Sequence, residues 1–232
     1  MILTLPQTTV GYPAIIFEPE RVDFAAPEAS GRQGGVQAGW PLWTARFEMD
    51  RNTPEDAALL RAFFARLRGR IRRFYCWDLS RPFPLAYPNG FAGLTRAGSS
   101  TAFDGSATSW SQAINSQGDA LITLNGLPAN FKIAVGDYIG FKWNAAGAPA
   151  GSFERRTLAR AVLPATATAA GQAQVIVEPP VNTALVPAAA IAHLDNPRCV
   201  MQLVPEESKL GVIGTGAWMS GGSLVAIQDL RP

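Results

Sequence analysis

Residues 43–78, WTARFEMDRNTPEDAALLRAFFARLRGRIRRFYCWD, decide the fold. Trp43–Asp50 alternates without a fault: Trp43, Ala45, Phe47 and Met49 fall on one side, Thr44, Arg46, Glu48 and Asp50 on the other. A period of two marks a half-buried strand. Thr53–Arg68 changes to the helical period, with Leu60, Phe63, Phe64 and Leu67 at i, i+3, i+4 and i+7. Thr53 and Asp56 have capping-box spacing, and Pro54 suits the first helical position, where its missing N–H costs nothing. Glu55 and Asp56 place negative charge at the positive end of the helix dipole. Gly69 is placed to take the left-handed conformation that ends a helix. Gly69–Asp78 then reads as a second strand, rich in aromatics.

Outward from this stretch, nearly everything reads as strand and turn. Ala120–Leu124, Asp137–Trp143, Ala173–Val177, Arg198–Val204 and Ser223–Asp229 are short apolar runs. Turn signals such as Asn125-Gly126 and Val135-Gly136-Asp137 separate the middle ones. Regularly spaced short strands indicate a small barrel or sandwich. Composition shifts near residue 93: residues 1–93 hold 11 Lys/Arg and 9 Asp/Glu, while the longer stretch 94–205 holds 7 and 6. The expectation is a mainly β protein: a β-sandwich with one packed α-helix, plus an inserted small β-barrel or sandwich domain. The sandwich takes residues 1–93 and 206–232, with the helix over 53–68. Residues 94–205 form the inserted, peripheral barrel-like domain. Nearby termini and surface insertion points make such an arrangement physically easy.

Of the 232 residues 47% are apolar, ample for a core, and only 16% are charged, which suggests a surface partly covered by neighbours. The net charge of +2 implies no global field for nucleic acid or membrane. Cys76 and Cys199 sit in apolar runs, so buried free thiols are expected. MILTLPQTT lacks the basic region and apolar core of a secretory signal, and no apolar run is long enough to span a bilayer.

Side chains for catalysis are scattered. His193, the only histidine, lies in AIAHLDNP and reads as a surface or turn residue. There is no Gly-x-Ser-x-Gly elbow, Walker loop or dinucleotide fingerprint. One histidine and two separated cysteines do not make a structural zinc site. Asp104, Asp119, Asp137 and Glu154 have no distinguishing context, and Asp104-Gly105 and Gly136-Asp137 read as turns. No catalytic, cofactor-binding or metal residue is assigned, and no cofactor is expected. Arg61, Arg66, Arg68, Arg70, Arg72 and Arg73 are six arginines within thirteen residues, with Phe74, Tyr75 and Trp77 just beyond. Three readings stay open: a subunit interface, for which the planar guanidinium suits, a solvated face, or a nucleic-acid surface. Trp110 and Trp143 are candidates for stacking on a sugar, although tryptophan is also a common core residue.

The run WPLWTARFEMDRNTPEDAALLRAFFARLRGRIRRFYCWDLSRPFP (residues 40–84) resembles the N-terminal domain of tail proteins from long-tailed bacteriophages. The shared features are an alternating strand, a polar turn, an amphipathic helix ending in Leu-Arg-Gly-Arg, and an aromatic strand closing on Asp78. LPANFKIAVGDYIGF (127–141), AQVIVEPP (173–180) and RCVMQLVPE (198–206) are similar to small β-barrel domains of baseplate and tail-tip components. The family so indicated is the distal tail protein. The resemblance implies a ring, commonly a hexamer, whose first domain stacks on the tail tube and whose second domain points outward. It implies a virion structural protein of the phage tail tip, assembled in the host cytoplasm, with no catalytic activity. Its partners would be further copies of itself, the tail tube protein, hub or tip proteins and fibres, with no membrane and no specific nucleic acid. The alternatives are a carbohydrate-binding accessory module for host attachment and a nucleic-acid-binding protein.

Overall fold

The computed structural model describes residues 2–9, 11–27, 33–144, 154–214 and 218–231. Positions 215–217 and 232 of the Gly-rich C-terminal stretch therefore lie outside the described residues. The elements run β1 (Leu3–Thr4), β2 (Ile15–Glu20), β3 (Asp23–Pro27), β4 (Gln33–Gln37), β5 (Leu42–Met49), α1 (Pro54–Leu67) and β6 (Arg73–Cys76). There follow β7 (Ser109–Ile114), β8 (Ala120–Asn125), β9 (Lys132–Ile133), β10 (Tyr138–Trp143), β11 (Arg155–Ala161), β12 (Ala165–Thr166) and β13 (Ala173–Glu178). The last are β14 (Ile191–His193), β15 (Cys199–Leu203), β16 (Val212–Ile213), β17 (Met219–Ser220) and β18 (Gly222–Gln228). The protein is mainly β, with several sheets and, among the described residues, a single α-helix. That helix is too short and too polar to cross a membrane.

The chain forms two compact units. One comprises Pro6–Arg73 and Met201–Asp229; the other comprises Met1–Leu5, Phe74–Val200 and Leu230–Pro232. In the first unit β5 is central, antiparallel to β2 on one side and to β18 on the other, and β18 pairs in turn with Met201–Leu203 of β15. The alternation of β5 is realised in full: Trp43, Ala45, Phe47 and Met49 are all buried. Among the described residues, strands β3 and β4 pair only with each other, as a separate hairpin.

Helix α1 begins as expected but is built differently at both ends. The Thr53 hydroxyl accepts from the Asp56 N–H at 3.2 Å. The Asp56 carboxylate, too short to close a full capping box, instead accepts from the Thr9 backbone N–H at 3.0 and 3.1 Å. It therefore ties the N-terminal segment to the helix start. Leu60, Phe63 and Leu67 are buried and Phe64 is half-buried. At the other end Arg68, not Gly69 alone, takes a left-handed conformation (φ 52°), with Gly69 following at 67°. Gly69–Arg72 is consequently turn, and the second strand is only Arg73–Cys76. The aromatic run was read correctly as strand; its arginine-rich lead-in was not.

The second unit contains a small antiparallel sheet ordered β14-β10-β11-β13-β8-β7. It closes on itself. The chain just before β7 bridges β14 at Ser106 and His193, with Ala107 N–H donating to Ala192 O and Leu194 N–H donating to Gly105 O, both at 2.8 Å. Inward residues fill the core: Ile122, Leu124, Val175, Val177, Ile139, Phe141, Ala159, Ala192 and Leu194 are all buried in one cluster. Phe91, Phe103, Phe131 and Tyr87 add an aromatic knot, with Tyr87 stacked on Phe131 at 4.4 Å. Asp137 is buried in a turn, accepting from Leu85 N–H at 2.9 Å and Ala134 N–H at 2.7 Å. Its sequence context as a turn residue is thus correct, with the added task of fastening a loop to the barrel.

Candidate functional site

Period-two alternation on the barrel strands dictates which side chains face out. Ala192 and Leu194 point into the core, so His193 between them points outward. Ile139 and Phe141 point in, so Gly140 and Lys142 point out; Ala159 and Ala161 point in, so Arg156 points out. The registers bring these together: Gly140 lies opposite His193, and Lys142 opposite Arg156. The outward residues line a cleft of about 390 Å³ on the barrel wall, which also receives Ser106, Asp195, Asn196 and Arg198 from the flanking loops.

His193 lines this cleft and is neither a surface nor a turn residue. It belongs to β14 and is only 5% exposed. Its ring lies over Gly140, the one residue that leaves room for it: a Cβ there would fall 2.5 Å from His193 Cε1 and 2.7 Å from Nε2. Burial, with the positive charges of Arg156 and Lys142 nearby, pushes the imidazole down to about 3, so it is neutral at ordinary pH. The Ile191 and Gly140 carbonyls pull in the other direction, yet neither ring nitrogen makes a hydrogen bond of sound geometry. An unmet buried polar group costs about 1–3 kcal/mol.

The neighbours show which charges are already committed. Asp104 accepts from Arg96 at 2.8 Å and from the Ser106 hydroxyl at 2.6 Å. Ser106 therefore gives its proton to a carboxylate and not to the imidazole. Arg156 pairs with Glu154 and lies over the Tyr75 ring at 5.0 Å. Arg198 lies over the Trp77 ring at 4.4 Å, and its Nε is buried without a partner. Burial and the Arg156 charge lower the Arg198 pKa, with Asp195 opposing. Lys142 has no ion pair among the described residues, and Asn196 Oδ1 is buried without a hydrogen bond.

The residues singled out from sequence are dispersed. Arg61, Arg66, Arg68 and Arg72 are exposed. Arg70 pairs with Glu206 at 2.7 Å and half-buried Arg73 with Asp229 at 2.8 Å. Two of the six are thus held within their own unit. Trp110 is a core residue: it is buried, its Nε1 donates to Ala190 O at 2.8 Å, and its ring lies 4.6 Å from Phe141. It has no free face for a sugar. Trp143 is half-buried and packs against the same core. The thiols of Cys76 and Cys199 are both free and buried, with Cys199 Sγ 3.8 Å from the Cys76 carbonyl.

No family model matches the chain, and no curated protein matches it either.

The cleft escaped the sequence reading because its parts are spread from Asp104 to Arg198 and only strand register assembles them. One signal was available: a glycine inside the apolar run YIGFKW, which in a strand often marks a close approach of another group.

Proposed function

We propose that the protein is a structural subunit of a phage tail: a ring-forming adaptor between the tail tube and the tail tip, working by shape and not by turnover. One observation carries the assembly part of this reading. The β3–β4 hairpin stands as its own two-stranded sheet, and Phe24 and Val36 face each other across it while 63% and 69% exposed. Val22 and Trp40, at its base, are exposed as well. A lone two-stranded hairpin is marginal in water, and an exposed apolar patch marks a contact site. A neighbouring copy would cover it. A contact of different patches on successive copies closes into a ring when the rotation allows. Exposed Arg61, Arg66 and Arg72 add side chains suited to pairing with carboxylates across such an interface. The resemblance over residues 40–84 supplies the tail setting.

The test is the native mass of the purified chain by light scattering behind a sizing column. A closed oligomer, roughly six copies by analogy with ring-forming assemblies, supports the reading. A monomer at every concentration, together with failure to bind purified tail tubes, would discard it.

A further inference from the structure

We propose that the cleft on the barrel wall binds the oxyanion of a small hydroxylated ligand, a sugar acid or a sugar phosphate. Lys142, Arg198 Nε and the N–H of His193 donate to the anion, and Asn196 Oδ1 accepts from a neighbouring hydroxyl. Three observations converge on this. His193 is an almost fully buried polar side chain with both ring nitrogens unpartnered, and it faces a cleft. Lys142 lies directly opposite Arg156 on the paired strand; Arg156 is already matched by Glu154, and Lys142 is left without a paired anion among the described residues. Asp104 and Glu154, the acids that could supply that anion, are already paired with Arg96 and Arg156. Asp195 at the rim is the one carboxylate in the lining with no ion pair or hydrogen bond among the described residues, and it moderates the positive charge without cancelling Lys142 and Arg198 together.

The ligand class follows from the donor inventory. A neutral imidazole donates from one nitrogen only, a guanidinium Nε donates one hydrogen, and an ammonium donates three. Such a set suits a carboxylate or phosphate. An amide oxygen needs the reverse, a donor, so a bare ion would leave Asn196 unmet. The cleft's volume of about 390 Å³ is at the small end of ligand sites, which run roughly 300–1,000 Å³. It suits a monosaccharide-sized molecule. The site lies wholly within the Phe74–Val200 segment and does not depend on ring formation.

Isothermal titration calorimetry of the full chain against glucose 6-phosphate, glucuronate and neutral glucose tests it. The expected result is saturable binding of at least one anion and none of glucose. The tighter of the two anions identifies phosphate or carboxylate as the natural group. Lys142→Gln weakens binding about tenfold, the worth of one hydrogen bond to a charged group, while Lys132→Gln, at the exposed position of β9, leaves it unchanged. Because the chain has one histidine, a ¹³C-labelled imidazole gives a single resonance that must move on binding. No saturable binding up to tens of millimolar, equal binding of glucose, or a Lys142→Gln variant that binds normally overturns the proposal.

Discussion

Single side chains fasten this structure at points the local pattern does not announce. Asp56 looks like a capping residue, and its backbone N–H does serve the cap, but its carboxylate holds Thr9. Asp56→Ala leaves the Thr9 N–H without its acceptor and is expected to destabilise the protein by about 1.5–3 kcal/mol, the range for hydrogen bonds to charged groups. Urea denaturation reads this. Thr53→Ala, which removes only the cap acceptor, costs about 1 kcal/mol. His193 makes a prediction with a definite sign. Its pKa is depressed to about 3 from an ordinary 6.5, so between those values the unfolded chain binds a proton that the folded protein refuses. Stability is therefore unaffected by this group above pH 6.5, falls as pH drops toward 3, and loses roughly 3 kcal/mol by pH 4 from this residue alone. His193→Gln should flatten this part of the stability profile, measured as Tm between pH 7 and pH 4. An unchanged slope would place the acid sensitivity elsewhere.

Periodicity reported the elements well and their ends less well. The β5 alternation and the α1 stripe were legible because each buries one continuous face. Strands β8, β10, β13 and β18 follow the apolar runs closely. By contrast β7 (SWSQAI) and β11 (RRTLARA) carry polar and charged residues on the outward face, which broke the runs and hid both strands. β11 matters most, since it brings Arg156 to the cleft, and a register is not readable from one strand. The β10–β14 register is testable at Gly140. Its φ is not in the left-handed range, so what an added methyl meets first is the imidazole. Gly140→Ala should cost about 1–3 kcal/mol by overpacking. Combined with His193→Ala it should lose less than the two changes summed, because the three nearest atoms to the added methyl all belong to the imidazole. A double-mutant cycle with a coupling below about 0.5 kcal/mol would mean the sites are independent.

At the scale of the molecule, two units are each assembled from separated segments of one chain. The shift in composition near residue 93 hinted at a division, but composition does not report which segments pack together. Burial within the Phe74–Val200 unit explains the chemistry of its cysteines: Cys76 and Cys199 are fully buried, and burial pushes both thiols up. A thiol that stays protonated and covered is inert, so neither should react with Ellman's reagent until denaturant is added. The exposed hairpin calls for the opposite treatment, because its Phe24–Val36 pair is apolar surface left in water. If another copy covers that pair, the native state is stabilised by mass action, and Tm rises with protein concentration. Replacing Phe24 and Val36 together with serine should then abolish the dependence and yield a monomer. The fold of that monomer is expected to persist, since β3 and β4 pair with no other strand among the described residues and exposed substitutions away from the core change stability by about 0.5 kcal/mol or less. Far-UV circular dichroism would verify that the variant is folded, and sedimentation velocity would read its mass. A folded double-serine variant that still forms the wild-type oligomer would move the contact away from this hairpin, leaving the exposed arginines Arg61, Arg66 and Arg72 as the next surface to change.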